Sequence, residues 1–236
     1  MRFEGLQEGR FIRRYKRFMV DLELSDGQVL TVHCPNTGAM TGCLQPGAKA
    51  FFSTSENQAR KYPHTLEWLE FENGSRACIN TQRPNALVEE AIRNGVIDEL
   101  EGYACIKREQ RYGEEGSRVD LLLTRHDNDQ PDCYVEVKNV TLCEGDLGLF
   151  PDAVSIRALK HLRELQWERQ RGARAVLVFC VNHTAIRRLS PARKVDLDYS
   201  ELLGVAAESG VEILAYRTEI NRHEIRLVER IPFICV

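Results

Sequence analysis

The sequence lacks the patterns that identify several common classes of protein. Of its 236 residues, 43% are hydrophobic, yet no apolar run approaches the roughly 18 residues that a membrane-spanning helix needs. The first residues, Met1 to Gly5, contain no apolar segment of the kind that secretory signals carry. We therefore expect a cytoplasmic protein that does not act on a membrane.

Several enzyme signatures are also missing. The eight cysteines form no C-x-x-C pair, and some stand inside apolar runs, as Cys180 does; this favours buried free thiols over disulfides. A zinc site built from His33, Cys34, Cys43 and His64 would have none of the usual ligand spacings. No G-x-S-x-G, G-x-x-x-x-G-K or G-x-G-x-x-G segment occurs, which argues against a serine hydrolase, a P-loop NTPase and a Rossmann enzyme.

The net charge of −3 argues against a protein wholly given to coating nucleic acid. Basic side chains are nevertheless concentrated near the start, within eight positions that also hold aromatic residues: Arg10, Arg13, Arg14, Lys16 and Arg17. Proteins that bind single-stranded nucleic acid use such residues for phosphate contacts and base stacking. An exposed basic strand without a ligand is an equally open interpretation. The nearby loop 33–40 is a further candidate, because Asn36 and Gly38 favour tight backbone geometry.

The first third of the chain predicts short strands joined by tight turns. Phe18, Val20, Leu22 and Leu24 alternate with polar residues, the period of a half-buried strand. Turn residues at 25–27 and the Asn73-Gly74 pair predict two hairpins. Such a series without a helical stretch indicates a small all-β, OB-like barrel over residues 1–82.

From residue 83 onward, the pattern changes to that of an α/β domain, residues 83–236. Segments of helical spacing alternate with apolar runs, which implies a mixed sheet covered by helices. Pro151 suits a first helical position and Gly172 a helix end, and we take Asp198 as the cap of the last helix. The predicted helices are 86–92, 151–171 and 198–210, and the predicted strands are 119–124, 133–140, 175–181, 211–216 and 225–228.

One set of charged residues stands in two of these apolar strands. Glu136 and Lys138 are two apart, so both side chains leave the same face of their strand. Asp120 lies on the preceding strand and approaches Glu136 if the two strands pair. Converging carboxylates repel unless a cation lies between them. Mg²⁺ or Mn²⁺ bound by Asp120 and Glu136, with Lys138 beside it, is suited to phosphodiester hydrolysis.

A non-functional interpretation of this set remains open at this point. Average composition gives roughly one chance E-x-K triplet in a chain of this length, and charges at an edge strand can be simply solvated. The apolar context of both strands favours a site, because isolated charges there would be costly.

The helix that begins near Pro151 carries a second candidate surface. Val154, Ala158, Leu162 and Leu165 form an apolar stripe. Another side holds Arg157, Lys160, His161 and Glu164. Arg157, Lys160 and His161 could contact backbone phosphates. Alternatively, this side of the helix could be a solvated charge network. Glu90 on the first helix could add a carboxylate to the metal, although a surface position is the simpler expectation.

Five segments together resemble the sugar fermentation stimulation protein A family. They are HCPNTGAM (33–40), SRVDLLL (117–123), VEVKNVTL (135–142), FPDAV (150–154) and KHLREL (160–165), with Arg157 between the last two. The resemblance covers nearly the whole chain. It implies an amino-terminal OB-type domain and a carboxy-terminal domain of the PD-(D/E)-x-K nuclease superfamily, an α/β mixed-sheet, restriction-nuclease-like fold.

The resemblance also implies the roles of individual residues. The motif's acidic residues, here Asp120 and Glu136, would bind Mg²⁺ or Mn²⁺, and Lys138 would assist hydrolysis. Arg118-Val119-Asp120 stands where the superfamily name has Pro-Asp. The implied partner is DNA, with RNA as a second candidate. The alternative function is a DNA-binding regulator of sugar (maltose) metabolism that does not cleave.

Overall fold

The computed structural model describes residues 1–234. The first part is a barrel whose strands are β1 (Gln7–Tyr15), β2 (Met19–Glu23), β3 (Val29–His33), β4 (Lys49–Thr54), β5 (His64–Glu70) and β6 (Arg76–Cys78). They hydrogen-bond in the order β3-β2-β1-β4-β5-β6. A parallel contact between β3 and β5, at His33↔Thr65, closes the barrel. Both predicted hairpins are present, with Gly27 and Gly74 at positive φ in their turns.

The first strand prediction was right for Val20 and Leu22, which lie in the barrel core, and wrong for Phe18 and the residues between them. In β2, residues Met19 to Leu22 are all buried, whereas Phe18 is 40% exposed. Asp21 lies on the face of β2 opposite to the core residues Val20 and Leu22. It is buried there because its carboxylate accepts hydrogen bonds from Thr31 Oγ1 at 2.8 Å and Arg13 Nε at 2.9 Å. Burial of a charged group requires such partners, and sequence alternation alone did not reveal them.

The second part is built on a six-stranded mixed sheet. Its strands and those of a small additional sheet are β7 (Tyr103–Tyr112), β8 (Ser117–His126), β9 (Cys133–Val140), β10 (Leu142–Glu144), β11 (Leu147–Phe150), β12 (Arg174–Val181), β13 (Arg188–Pro191), β14 (Glu212–Ile220) and β15 (Ile225–Arg230). The large sheet has the order β15-β14-β12-β9-β8-β7, and the small one the order β10-β11-β13. The strands β9, β12 and β14 are parallel.

Helices cover both faces of the large sheet: α1 (Pro84–Arg93), α2 (Ile156–Gln170) and α3 (Leu197–Glu208), with a 3₁₀ turn at Asp98–Leu100. Leu87 and Val88 of α1 pack on one face, and Leu162 and Leu165 of α2 pack on the other. Each such fully buried side chain contributes roughly 1.5–3 kcal/mol by leaving water. The predicted double burial of the central strand is confirmed, since residues 175–181 of β12 are all buried.

Two predicted helix starts were wrong. The helix α2 begins at Ile156 rather than Pro151, because residues up to Phe150 pair in β11 with β13, and Ser155 caps the helix by accepting from Ala158 N at 3.1 Å. Val154 therefore precedes the helix and is 72% exposed. The cap of α3 is Asp196, not Asp198: its Oδ1 accepts from Tyr199 N at 3.0 Å.

The barrel and the second part meet along β6 and the segment after β12. Cys78 N donates to Asn182 O at 2.9 Å, and Arg76 N donates to Thr184 Oγ1 at 2.9 Å. His183 stacks on Phe71 with ring centroids 5.5 Å apart. No helix among residues 1–234 is long and apolar enough to cross a membrane. All seven cysteines in this part of the chain are free thiols.

We expect His183 to make the protein sensitive to acid. Burial lowers the pKa of His183 to about 4, against about 6.5 in the unfolded chain. Its contribution is therefore fully present above pH 6.5 and is lost as the pH falls towards 4. His183→Gln should reduce the loss of unfolding free energy between pH 7.5 and 4.5 by roughly 2–3 kcal/mol. Chemical denaturation at both pH values measures this.

The matched control for that experiment is His223→Gln, because His223 is exposed. The control should lose as much stability on acidification as the unsubstituted protein. Equal acid sensitivity in His183→Gln and the unsubstituted protein would rule out this role for His183.

Candidate functional site

Strands β8 and β9 separate at the point where the predicted acidic residues lie. Their pairing covers three residue pairs and ends at Leu121↔Val135. Asp120 and Glu136 are the next residues beyond that pair. A backbone N–H that leaves a ladder needs another acceptor, and Val137 N donates to Asp120 Oδ2 at 2.7 Å. The fork between the strands thus holds Asp120 against the segment that carries Glu136.

Asp120 is held from a second side by the first helix. Asn85, the second residue of α1, donates its Nδ2 to Asp120 Oδ1 at 2.7 Å. Burial raises the pKa of Asp120, and the nearby negative charge of Glu136 raises it further, to about 6. The two carboxylates are thus close enough to disfavour each other's ionisation. A cation between them would relieve that repulsion.

Glu136 is 2% exposed, and its two oxygens have different surroundings. Oε1 accepts from Lys138 Nζ at 2.7 Å and is also hydrogen-bonded to His161 Nδ1. Burial alone would raise the pKa of Glu136, but Lys138 and His161 outweigh it and lower the pKa. Oε2 has no hydrogen-bond partner among residues 1–234. A buried, ionised and unpartnered oxygen is costly and suits a metal ion.

The described part of the chain places no three His, Cys, Asp or Glu side chains where they could bind one ion. The zinc alternative at His33, Cys34, Cys43 and His64 is therefore not formed there. Mg²⁺ commonly binds through one or two carboxylates and retains several waters. The Asp120–Glu136 pair meets that smaller requirement.

His161 and Arg157 extend the site along α2. His161 is 6% exposed, and its Nδ1 lies 3.2 Å from Lys138 Nζ. Arg157 Nε donates to His161 Nε2 at 3.4 Å. Since Nε2 accepts, the imidazole proton lies on Nδ1 and points to Glu136. His161 thus braces Glu136 from inside the protein, and Glu136 in turn accepts from Lys138, whereas Arg157 is exposed at the surface.

The polar side of α2 is not a single surface. Lys160 Nζ donates to Glu115 O at 2.8 Å, which directs it to the β7–β8 hairpin. Glu164 is 1% exposed, so it forms no solvated network with Arg157. Among the side chains expected to contact phosphate from this helix, Arg157 is exposed, Lys160 is half-buried and His161 is buried.

The basic strand of the barrel also divides into two groups. Arg13, Lys16 and Arg17 are exposed, and Arg13 is partly neutralised by its ion pair with Asp21. Arg14 instead donates to Asn36 O at 2.8 Å and Gly38 O at 2.9 Å. It therefore holds the loop 33–40 in place.

This loop joins the barrel to the segment before α2. Asn36 is 7% exposed, and its Oδ1 accepts from Gly38 N at 2.8 Å. Met40 N donates to Asp152 Oδ2 at 3.1 Å. A cavity of about 200 Å³ lies beside these contacts and is also lined by Asn139, which follows Lys138 on β9. The barrel loop and the end of β9 therefore border one cavity.

Sequence reasoning missed residues near the site. Asn85, which holds Asp120, gave no signal except its position at a helix start. The buried polar residues Tyr112, Glu164 and Glu168 were not connected with the site. Glu90, considered as an extra metal ligand, forms an ion pair with the Met1 amino group at 2.8 Å. The spacing of apolar residues identifies elements, but not which polar side chains meet between them.

Comparisons with known proteins match both parts of the chain. Residues 12–79 match the family model described as the SfsA N-terminal OB domain. Residues 82–224 match the model described as the sugar fermentation stimulation protein RE domain. Sugar fermentation stimulation protein homologs from Hahella chejuensis and Teredinibacter turnerae are each 54% identical, over 94% of this chain and 92% and 94% of their own lengths.

A solved structure is similar over the full length. SfsA from Pyrococcus furiosus, in complex with Ca²⁺, has a TM-score of 0.87 and 29% sequence identity, covering 99% of this chain and 98% of that one. These matches confirm the predicted architecture: an OB-like barrel followed by a mixed-sheet domain of the restriction-endonuclease type.

Proposed function

The chain belongs to the sugar fermentation stimulation protein family, and we propose that it binds DNA and hydrolyses phosphodiester bonds with a divalent cation. The observation that carries this proposal is the strand fork, where Asp120, Glu136 and Lys138 meet and Glu136 Oε2 lacks a partner. A carboxylate pair beside a lysine, with one carboxylate buried, is chemically suited to this reaction. RNA is the second candidate substrate.

Asp120 and Glu136 would hold Mg²⁺ or Mn²⁺, which supplies Lewis-acid polarisation of the phosphate and a more acidic bound water. The Pyrococcus furiosus relative was solved with Ca²⁺, another hard cation that takes oxygen ligands. That supports a divalent-cation site in this chain.

The chain's own residues have separate tasks in this proposal. Lys138 orients the attacking water and stabilises the negative charge that develops on the phosphate oxygens. His161 fixes the position of Glu136 Oε1 through its Nδ1, and Glu136 Oε1 in turn accepts from Lys138 Nζ. Asn85 and Val137 N hold Asp120 in the orientation that faces Glu136. Such fixed geometry is what lets electrostatic stabilisation act without reorganisation during the reaction.

DNA would contact the exposed cations. Arg157 lies at the mouth of the site because it reaches His161, and Arg13, Lys16 and Arg17 extend the contact onto the barrel. Lys160 would contribute from the β7–β8 side. Arg14 and Asn36 support binding indirectly by holding the loop 33–40. The free thiols support function in a reducing compartment, the cytoplasm.

A non-catalytic DNA-binding regulator linked to sugar (maltose) metabolism is the second candidate function. The observation that favours it is the printed name of the curated relatives, sugar fermentation stimulation protein homolog. The two functions differ in one measurable respect. A nuclease cleaves DNA with Mg²⁺ and stops when the metal is chelated, whereas a regulator binds DNA without cleaving it.

We expect DNA affinity to weaken steeply with salt, and we expect Arg157→Ala to reduce that dependence. Each lost phosphate contact should reduce the slope of log K against log[salt] by about 1. Fluorescence anisotropy with labelled DNA in chelator, over a salt series, measures the slope. The matched control is Arg226→Ala on β15, at the opposite edge of the sheet from β7. An unchanged slope in Arg157→Ala would remove Arg157 from the DNA contact.

A further inference from the structure

Two buried glutamates on α2 have no role in the proposed chemistry. Glu164 and Glu168 are 1% and 6% exposed, and their spacing of four places both side chains on the same side of the helix. The neighbouring cations are engaged elsewhere: Arg163 pairs with Glu115 at 2.9 Å, and Lys160 donates to Glu115 O. Two acidic groups thus enter the protein interior without an ion pair to either of these cations.

Both carboxylates converge on the turn of the β7–β8 hairpin. Glu168 Oε1 accepts from Gly113 N at 3.0 Å. Glu164 Oε2 occupies the space that a side chain at Gly113 would need, since an added Cβ would lie 1.4 Å from it. Glu164 Oε1 is buried and has no hydrogen-bond partner within residues 1–234.

An independent pair of hydroxyls faces the same region. Tyr112, next to Gly113, is 5% exposed, and its Oη lacks a partner in the described chain. Ser117 lies directly opposite Tyr112 in the hairpin, and its Oγ is likewise unpartnered there. Burial raises the pKa of Tyr112, and the charges of Glu136 and Glu164 raise it further. The tyrosine hydroxyl therefore lies in the negative field of these acids.

Several unsatisfied oxygens in one buried location favour a bound ligand. An unpartnered buried polar group costs about 1–3 kcal/mol, and a charged one costs more. All the unpartnered groups are oxygens and the charges are negative, which is the chemistry of a hard divalent cation. We propose that Glu164, Glu168 and the Tyr112 hydroxyl form a second divalent-cation site, separate from the Asp120–Glu136 pair.

This site would clamp α2 to the β7–β8 hairpin. The same helix carries Arg157 and His161, so the clamp would fix the helix that braces the catalytic residues. The inference rests on the buried groups around Gly113 and not on the nuclease proposal. It holds whether or not the protein cleaves DNA.

Ion stoichiometry tests the proposal in the full-length protein. Mn²⁺ binding is measured by calorimetry and by electron paramagnetic resonance for the unsubstituted protein, Asp120→Asn, Glu164→Gln and a control variant. We expect two ions in the unsubstituted protein. The control is Glu114→Gln, because Glu114 is exposed on the same hairpin, whereas Glu115 holds Arg163; this variant should also bind two ions. Asp120→Asn and Glu164→Gln should each retain one strongly bound ion, with the other weakened about ten- to a hundredfold.

Tyr112→Phe provides a second variant, because it removes only the hydroxyl and should weaken the Glu164 ion without changing the Asp120 ion. Anomalous scattering from Mn²⁺ in crystals should place one ion between Glu164 and Tyr112. A single ion that is lost in Asp120→Asn and kept in Glu164→Gln would overturn the second site and leave the catalytic one. A single ion that is lost in both variants would also overturn the second site. The absence of any ion binding would overturn the second site and would also count against the nuclease proposal.

Discussion

Lys138→Ala should reduce metal-dependent cleavage by about 10²–10³-fold, the usual cost of losing one group that stabilises transition-state charge. Lys138 Nζ lies 2.7 Å from Glu136 Oε1 and 3.2 Å from His161 Nδ1, so its position is fixed before substrate arrives. The loss should appear in kcat more than in KM, because the interaction strengthens only as charge develops. Single-turnover cleavage assays measure it.

Two further variants make this result specific. Glu136→Gln keeps the shape of the side chain but removes a metal-binding charge, so activity should fall at least as far and should not recover with more Mg²⁺. Lys107→Ala removes an exposed lysine of the same sheet and should cleave like the unsubstituted protein. Equal losses of cleavage activity in Lys107→Ala and Lys138→Ala would mean that cleavage depends on the overall positive charge of the protein and not on the position of Lys138.

Asp120→Asn should stabilise the metal-free protein at neutral pH by roughly 2–3 kcal/mol. The pKa of Asp120 is raised to about 6, against about 3.9 in the unfolded chain. The ionised group therefore destabilises the fold, and this penalty is absent below about pH 4, grows between pH 4 and 6 and is complete above that range. Urea denaturation in chelator at pH 4 and pH 8 measures the difference.

Metal should reverse the order of stability once its concentration is high enough. A bound ion adds about 2.7 kcal/mol at 100 times its dissociation constant, which offsets the difference, and about 4.1 kcal/mol at 1,000 times, which exceeds it; only the unsubstituted protein keeps the Asp120 ligand. The matched control is Asp132→Asn, since Asp132 is exposed just before β9; its stability should not change. An Asp120→Asn protein that is less stable than the unsubstituted one in chelator would contradict the raised pKa.

The meeting of Asp120, Glu136 and Lys138 was predictable from the sequence because these residues lie on strands with clear signals. Charges two apart within the apolar strand β9 identify one face, and Asp120 stands in an equally apolar β8. The fork that brings them together was not predictable, since it depends on where strand pairing ends. The support from Asn85 and His161 was also hidden, because both come from helices whose docking on the sheet only the fold determines.

The same reasoning explains the errors in the fold. The strand β7 was missed because it lies at the sheet edge and is mostly exposed, so it shows no apolar alternation. The start of α2 was misplaced because Pro151 suits a helix start locally, while the pairing of β11 with β13 keeps the chain extended up to Phe150. In both cases, the pairing of distant strands determined the structure, and the local sequence pattern did not show it.

The most direct test of a catalytic cation site is cleavage by the unsubstituted protein. Single-stranded, duplex and branched DNA and RNA are incubated with Mg²⁺ or Mn²⁺, and in parallel with a chelator. We predict cleavage of at least one DNA form with metal, none in chelator, and loss of activity in Glu136→Gln. Salt-sensitive DNA binding with no cleavage of any substrate would contradict the nuclease proposal and leave the DNA-binding regulator as the function.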